Sequence, residues 1–280
     1  MAGVLYVVAT PIGNLEDITL RALRILKEVD LIAAEDTRHT KGLLSHYGIT
    51  TPLTSCHEHN ERAKAHALVE RLERGNKIAL VSDAGTPTVS DPGYLLVREA
   101  IKAGIQIIPI PGASALTAVL SASGLAANAF VFEGFPPPKR QERKAWLREL
   151  ESESRTIVFY EAPHRLKESL QDLFEILGDR ELVLAREVTK VHEEFIRGRL
   201  SQVMAEIDRR DVRGEVVLMV SGAEKQQHPP RDRLIAEIQK LKTKGIRIKE
   251  IAQVLGEKYA YSKREIYRLA LESGKKGAIS

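Results

Sequence analysis

Short apolar runs alternate with helix-like segments through the first 112 residues, and this alternation restricts the fold more than any other feature. Runs in which successive residues are apolar are typical of strands buried on both faces of a sheet. The segments between them have helical periodicity, and two such segments follow one another between residues 36 and 75. Strands that alternate with helices predict crossover connections and a mostly parallel sheet. The four predicted strands are Val4–Thr10, Val29–Glu35, Lys77–Asp83 and Ile105–Gly112.

The pattern changes after Gly112. A helix-like segment of small residues, Ala113–Gly124, precedes five further apolar runs between residues 129 and 222. Only four residues separate the run that ends at Val188 from the run that begins at Glu193. Such a short connection predicts an antiparallel hairpin and therefore a mixed sheet. We accordingly expect an N-terminal α/β domain at 1–112 and a second α/β domain at 113–223.

The C-terminal part of the chain is basic and helical. From Lys225 to Ser280 there are fourteen Lys and Arg against six Asp and Glu, whereas the chain as a whole has a net charge of only +4. Gly222–Asp232 is a polar, proline-bearing linker, and three segments of helical periodicity follow within 231–280. Ser262 and Glu265 form a capping-box pattern at the start of the last helix. This tail is interpreted either as a helix-turn-helix-like module for a polyanion or as a bundle that docks on the body.

Length and composition are those of an ordinary two-domain protein. The chain has 280 residues, of which 43% are hydrophobic and 29% charged. No apolar stretch is long enough to span a bilayer, and the first residues lack the basic start and cleavage site of an export signal. Cys56 is the single cysteine, so no internal disulfide is expected. A cytoplasmic location is therefore expected.

Three loops at predicted strand ends have the composition of ligand-binding loops. The loop within Ala79–Gly93 leaves a buried strand and enters a helix, which is where open parallel sheets bind ligands. Gly85 permits close backbone approach and Pro87 stiffens the loop, while Asp91 is interpreted mainly as a helix N-cap. Asp83 has no capping role to explain it.

The other two loops are Val8–Leu23 and Pro109–Ala118. Neither contains a dinucleotide or triphosphate fingerprint, which removes the best sequence support for those ligands. Three such loops between two α/β halves predict a binding site in a cleft.

Six segments, in this order, resemble the ribosomal RNA small-subunit methyltransferase I family of the tetrapyrrole methylase superfamily. The resemblance extends from Val4 to about Gly222, and its motifs are specific as a series although "GTP" alone would mean nothing. The segments are "VATPIGNLEDITLRAL", "EDTR", "SDAGTPTVSDPG", "PGASALTAVLSASGL", "FEGFPP" and "FYEAPHR".

The resemblance implies a fold, a cofactor and a reaction. It implies the two-domain α/β architecture of class III methyltransferases, here with a mostly parallel N-terminal sheet, a mixed second sheet and a small C-terminal helical module. It also implies S-adenosylmethionine bound between the domains, a homodimer, and 2′-O-methylation of a cytidine near the decoding site of 16S ribosomal RNA. The cofactor-binding residues that it implies are Pro11, Asp83, Ala84, Gly85, Val89, Ser90, Ser114, Ala115 and Tyr160.

A ribose hydroxyl needs a proton acceptor, because a sulfonium cofactor supplies the leaving group but does not remove the proton. The predicted catalytic residues are polar and lie at strand ends: Glu35, Asp36, Arg38 and Glu187. Asp36 is equally interpreted as the cap of the helix that begins at Thr37. Further candidates are His57 and Glu58 for proton transfer, and Arg165 and Lys190 for a phosphate.

Other interpretations remain open at this point. Arg140, Arg143 and Lys144 are either RNA-facing or solvated. Cys56, His57 and His59 have no second group of ligands, so no metal site is expected. A tetrapyrrole C-methyltransferase is an alternative that leaves the basic tail unexplained. A non-catalytic protein that senses a ligand and binds nucleic acid is the other alternative.

Overall fold

The chain divides into two compact units, Met1–Ala223 and Glu224–Ser280. The computed structural model describes residues 3–224, 229, 231–259 and 261–275, with only the backbone described at 257 and 273–275. Within the described residues, no helix is both long enough and apolar enough to cross a membrane.

The first sheet of the larger unit is entirely parallel in its paired strands. Its strand order is β3-β2-β4-β1-β5. The four predicted strands are present, and the structure adds a short edge strand that the sequence pattern did not indicate. Three residues of mixed polarity, none of them fully buried, form that strand and carry no clear signal. The strands are β1 (Val4–Val8), β2 (Leu31–Ala34), β3 (Leu53–Ser55), β4 (Lys77–Val81) and β5 (Gln106–Ile110).

Helices cover both faces of this sheet. On one face, α1 (Leu20–Glu28) and α2 (Thr37–His46) bury apolar side chains against alternate strand residues. On the other face, α3 (Glu61–Glu73) and α4 (Tyr94–Lys102) do the same. Because all five strands are parallel, their carboxyl ends meet at one edge, and the loops that follow β1, β2 and β4 lie there.

The second sheet is mixed, as predicted, with strand order β6-β7-β10-β8-β9. Strands β6 and β7 are parallel, whereas the other pairs are antiparallel, including the predicted β8–β9 hairpin. Helix α5 (Ala115–Ser123) packs on one face, and α6 (Arg140–Glu149), α7 (Leu166–Leu177) and α8 (Leu200–Ile207) pack on the other. The strands are β6 (Phe130–Phe132), β7 (Thr156–Glu161), β8 (Glu181–Arg186), β9 (Glu194–Arg199) and β10 (Val216–Val220).

A buried ion pair joins α6 to α7, and it corrects an interpretation made from the sequence. The Arg143 side chain is only 1% exposed and donates two hydrogen bonds, of 2.9 and 2.8 Å, to Oδ2 of the fully buried Asp172. Arg140 donates to Oδ1 of the same carboxylate at 2.9 Å, and Lys144 pairs with Glu175. Arg143 is therefore neither RNA-facing nor solvated, because its charge is matched inside the protein.

The smaller unit has its own apolar core. Helices α9 (Arg231–Thr243), α10 (Ile248–Tyr259) and α11 (Lys263–Lys275) surround it, and its fully buried members include Leu234, Ile251 and Ile266. The predicted capping box is present, since the Glu265 N–H donates to Ser262 Oγ while the Ser262 N–H donates to the Glu265 carboxylate. Residues 225–228, 230, 260 and 276–280 of the predicted linker and tail lie outside the described residues.

Candidate active site

The loops after β1 and β4 are tied together at the carboxyl edge of the first sheet. The Thr10 N–H donates to the Gly85 carbonyl at 2.8 Å, and the Gly85 N–H donates to the Thr10 carbonyl at 3.1 Å. The Thr10 hydroxyl also donates to the Ser82 carbonyl at 3.2 Å. These three bonds fix the backbone of both loops where β1 and β4 lie side by side. The chain leaves β1 past β4 toward β2 and leaves β4 past β1 toward β5, so the two loops meet where these strands lie side by side.

Gly85 has a backbone conformation that favours glycine. Its φ is +80°, in the left-handed region, where a side chain costs about 1 to 2 kcal/mol. A Cβ at this position would meet Cγ2 of Ile12 at 3.4 Å. The conformation, rather than a steric overlap, therefore explains the glycine.

A cavity of about 300 Å³ lies between the two sheets of the larger unit. Seven of the nine predicted cofactor residues line it: Ala84, Gly85, Val89, Ser90, Ser114, Ala115 and Tyr160. Pro11 and Asp83 do not line it, although each adjoins a residue that does. The residues that the sequence did not predict are Ile12, Thr86, Asp91, Phe135, Glu161–Pro163 and Gly214–Val217. Strand β10 starts within the segment Gly214–Val217. The only sequence signal for this segment was a glycine followed by an apolar run.

Asp91 does not cap a helix, so the interpretation of Asp91 as an N-cap was wrong. Helix α4 begins at Tyr94, and its N-cap residue is Gly93 with φ +119°. Asp91 instead lines the cavity, where burial raises the pKa of its carboxyl to about 6 against a hydrogen bond with Ser82 that lowers it. The charges of Glu35 and Asp83 raise that pKa further. Asp91 is thus a carboxyl group in the cavity wall that exchanges its proton near neutral pH.

The helix after this loop is capped from another element. Glu61, the first residue of α3, is 7% exposed, and its Oε1 accepts hydrogen bonds from the N–H groups of Gly93 at 3.0 Å and Leu95 at 2.7 Å. These donors belong to the N-terminal turn of α4, whose N–H groups have no partner within the helix. Glu61 therefore anchors the end of the loop that carries Gly85 to Asp91. Nothing in the sequence near Glu61 indicated this role, because the two elements are 32 residues apart.

Three further carboxylates lie at the same edge, at the ends of β2 and β4. The Asp36 N–H donates to Oδ1 of Asp83 at 2.9 Å, and the Asp83 N–H donates to Oε2 of Glu35 at 3.3 Å. Burial raises the pKa of Glu35, and the Asp83 and Asp36 charges add to this. In contrast, the Arg38 guanidinium holds the pKa of Asp36 well below its usual range. Asp36 also caps α2 by accepting from the Arg38 N–H at 2.8 Å, as the capping interpretation predicted.

Aromatic side chains of the second sheet form the opposite wall. The Tyr160 ring contacts Phe132, with centroids 5.0 Å apart, and Phe135, with centroids 5.3 Å apart. Burial raises the pKa of the Tyr160 hydroxyl, which is hydrogen-bonded to the backbone of Leu116 in α5. Phe135 is 56% exposed, so an apolar ring stands at the mouth of the cavity.

Glu187 and Lys190 connect the second sheet to the first loop. Oε1 of Glu187 accepts from the Glu215 N–H and from Lys190 Nζ, both at 2.9 Å, and these bonds lower the pKa of Glu187. The Lys190 side chain lies directly on Gly13, where a Cβ would collide with its carbon chain. Glu187 does not line the cavity, but its partner Glu215 does.

The remaining predicted residues are placed as follows. Arg165 pairs with Glu161 at 2.9 Å, so its charge is matched. The His57 Nε2 lies 3.0 Å from Asn60 Nδ2, whereas its buried Nδ1 lacks a hydrogen-bond partner in the structure. Glu58 and His59 are exposed. Burial raises the pKa of the Cys56 thiol to about 11. Across the described side chains, no group of three His, Cys, Asp or Glu is arranged to hold a metal ion.

A family model, Tetrapyrrole (Corrin/Porphyrin) Methylases, matches residues 4–204. Curated proteins described as ribosomal RNA small subunit methyltransferase I are similar over nearly the whole chain. The protein from Pasteurella multocida is 48% identical over 276 residues, covering 97% of this chain and 98% of the relative. The protein from Synechocystis is 48% identical over 273 residues, covering 96% and 98%.

Solved structures are similar in fold at much lower identity. The methyltransferase CobJ has a TM-score of 0.59 with 23% identity, covering 80% of this chain and 95% of that one. The uroporphyrin-III-C-methyltransferase from Thermus thermophilus has a TM-score of 0.54 with 21% identity, covering 78% and 94%. At these identities the likeness concerns the architecture of the two sheets and not the substrate.

Proposed function

This chain belongs to the ribosomal RNA small subunit methyltransferase I family of the tetrapyrrole methylases, and from this premise we propose that it methylates ribosomal RNA. Its cofactor is S-adenosylmethionine. The finer proposal is that the acceptor is the 2′-hydroxyl of a cytidine in 16S ribosomal RNA near the decoding site. The observation that carries the RNA proposal is identity of 46 to 48% over nearly the whole chain to relatives described as ribosomal RNA small subunit methyltransferase I.

The cavity fits S-adenosylmethionine in size and chemistry. Its volume of about 300 Å³ is at the lower end of ligand pockets. Apolar side chains such as Val89 and Phe135 suit a flat purine ring, and the backbone of the exposed Ala84, beside Gly85, suits hydrogen bonding to a ligand. The carboxylate of Asp91 suits a ribose hydroxyl or a positive charge. The residues that would hold the cofactor are the seven predicted lining residues, together with Ile12, Asp91 and Phe135.

The bound cofactor would supply an activated methyl group, and the protein would align the acceptor oxygen and accept its proton. Among the carboxylates at the sheet edge, Asp36 is the weakest base because Arg38 lowers its pKa. Asp91 and Glu35 have raised pKa values, and efficient proton transfer favours a group that titrates near the working pH. We therefore assign proton acceptance to Asp91 or Glu35, and orientation of the RNA to the Asp36–Arg38 pair. Glu187 is assigned a structural role because its carboxylate is already occupied.

The basic tail is proposed to add affinity for RNA phosphates. Unit 224–280 has a net charge of +7, whereas the rest of the chain has −3. Deletion of residues 231–280 should leave cofactor affinity unchanged, weaken RNA binding, and reduce the slope of log affinity against log salt, since each lost contact lowers it by roughly one unit. A lower melting temperature or a changed mass in solution, with an unaltered salt slope, would instead indicate that the helices brace the body or a dimer.

Methyl transfer itself tests the proposed function. The protein and tritiated S-adenosylmethionine would be incubated, in three separate reactions, with 16S ribosomal RNA, with DNA of similar length and with a tetrapyrrole. Label in the RNA alone is the expected result. Label in the tetrapyrrole would support the C-methyltransferase alternative, and cofactor binding without label in any substrate would support the ligand-sensing alternative. Mapping of 2′-O-methyl sites in RNA from cells with and without this chain tests the cytidine and its position.

We also propose a homodimer, on the family resemblance alone. Light scattering of the purified chain, whose mass is 31.2 kDa, separates monomer from dimer directly.

A further inference from the structure

A second concave surface lies beside the cavity, at the outer edge of the first sheet. This surface, the α2–β3 groove, is bounded by α2 from Thr37 to Ser45 and by residues 49–55, and it encloses about 770 Å³ of open space. Thr37 directly follows Asp36, whose N–H is bonded to Asp83 next to the cavity wall. Strands β3 and β4 are separated by β2, so these two strands lie two strand spacings, about 10 Å, apart in the sheet. A short extended polymer can therefore occupy both.

Hydroxyl groups dominate the polar lining of the groove. Thr37, Ser45 and Thr50 contribute hydroxyls, and Thr54 contributes one that accepts from Lys64 Nζ at 3.2 Å. The Thr51 hydroxyl donates a hydrogen bond to the Leu26 carbonyl at 2.6 Å. Hydroxyl donors combined with nearby ammonium groups are the usual partners of phosphate and sugar oxygens in nucleic-acid interfaces.

Charge distinguishes this groove from a second groove on the same domain. Residues 37–57 contain no Asp or Glu, but they contain Arg38, which pairs with Asp36, and Lys41. Lys41 is exposed and, among the side chains that the structure describes, pairs with no carboxylate. The groove between α3 and α4 has cations too, but Glu70, Glu73 and Glu99 line it beside them. The α2–β3 groove therefore differs from the α3–α4 groove in that Lys41 gives it a positive charge that no described carboxylate matches.

We propose that the α2–β3 groove binds the sugar–phosphate chain of the RNA strand adjacent to the methylated nucleotide. This inference rests on the proposed function and adds to it the path of the substrate. The groove has few side chains suited to reading base edges, so it positions the strand without selecting its sequence. Lys41 is the central contact, since its ammonium group is free for a phosphate.

Charge-neutralising variants with a matched control test this path. Lys41→Gln is compared with Arg71→Gln, because Arg71 is also exposed but lies in the last turn of α3, on the other face of the sheet. Binding of a twelve-nucleotide single-stranded oligouridylate and of 16S ribosomal RNA is measured over a range of salt concentrations. For Lys41→Gln we expect the salt slope to fall by about 0.7 and affinity to fall roughly fivefold at 0.1 M salt. Lys41→Glu should lose more, and cofactor affinity should be unchanged in all variants.

The outcomes separate the groove from the proposed function. If the wild type methylates RNA and Lys41→Gln and Lys41→Glu match Arg71→Gln in affinity and salt slope, the groove proposal is overturned while the function stands. If the wild type neither binds nor methylates RNA, the proposed function fails and the groove proposal fails with it. An equal loss in the Arg71 and Lys41 variants would show a general charge effect and would also overturn the groove proposal.

Discussion

Removal of the Glu61 carboxylate should loosen the cofactor loop from a distance. In Glu61→Ala, the N–H groups of Gly93 and Leu95 lose their acceptor. Gly93 is buried, so water cannot replace that bond, whereas the Leu95 N–H is only partly buried. An unsatisfied buried donor costs about 1 to 3 kcal/mol, and partial loss at the second donor brings the total to about 2 to 4 kcal/mol.

Glu61→Gln isolates the contribution of the charge. The glutamine oxygen can still accept both bonds, and only the interaction of the negative charge with the N-terminus of α4 is lost, worth about 1 kcal/mol. Glu58→Ala is the control, because Glu58 is exposed and near in sequence, and a change there should stay within about 0.5 kcal/mol.

Urea unfolding gives the stability of each variant, and calorimetry gives its affinity for S-adenosylmethionine. We expect the free energy of unfolding to decrease from Glu58→Ala to Glu61→Gln to Glu61→Ala. Glu61→Ala should also lose cofactor affinity, because Gly85 and Asp91 precede the anchored turn. The reasoning would be refuted if Glu61→Ala lost less than about 1 kcal/mol, or if it lost stability with cofactor affinity intact.

Three other outcomes follow from the site. Gly85→Ala should lower the free energy of unfolding by about 1 to 2 kcal/mol, because the φ of Gly85 is +80°, and it should also lower cofactor affinity. Gly48→Ala is the control, since Gly48 has φ +63° with open space around it and should lose stability alone. Equal cofactor affinities in the two variants would contradict the placement of Gly85 at the cofactor. A carboxyl group whose pKa is raised in the folded state destabilises that state at high pH, where it is charged. Asp91→Asn should therefore be more stable than the wild type by about 1 to 3 kcal/mol above pH 6, and this difference should shrink as the pH falls toward 4. A difference in urea unfolding that does not depend on pH would contradict the burial of this charge. Asp36→Asn keeps an oxygen to cap α2, so it should lower the methylation rate more than cofactor affinity, and equal losses in both assays would point to a structural role.

The sequence predicted the parts of the fold that depend on local pattern. Short apolar runs identified nine strands, and the short β8–β9 connection identified the mixed sheet. Strand β3 was missed because three partly buried residues carry no periodicity. The N-cap interpretation of Asp91 failed because the left-handed Gly93 takes the N-cap position and the helix begins two residues later than predicted.

Most of the predicted lining residues lie on one side of the cleft, and Tyr160 is the predicted one on the opposite wall. Loops with glycine and proline after strands predicted a cleft site, and the family resemblance implied Ala84, Gly85 and Ser114, which line the cavity, but their role as cofactor contacts stays a prediction. Gly214–Val217 was not predicted, because a strand start near a distant loop depends on how the two sheets pack. The roles of Glu61 and of the Arg143–Asp172 pair were not predicted for a related reason, because the sequence alone does not show whether a charged residue is buried or exposed.

Lys190 acts as a spacer between the two halves of the larger unit. Its carbon chain rests on Gly13, and its ammonium group is held by Glu187 and Glu215 at 2.9 and 3.2 Å. The Lys190 carbon chain therefore lies between the first loop and the second sheet. A larger residue at position 13 would have to displace it, next to Ile12 and Glu215, which both line the cavity.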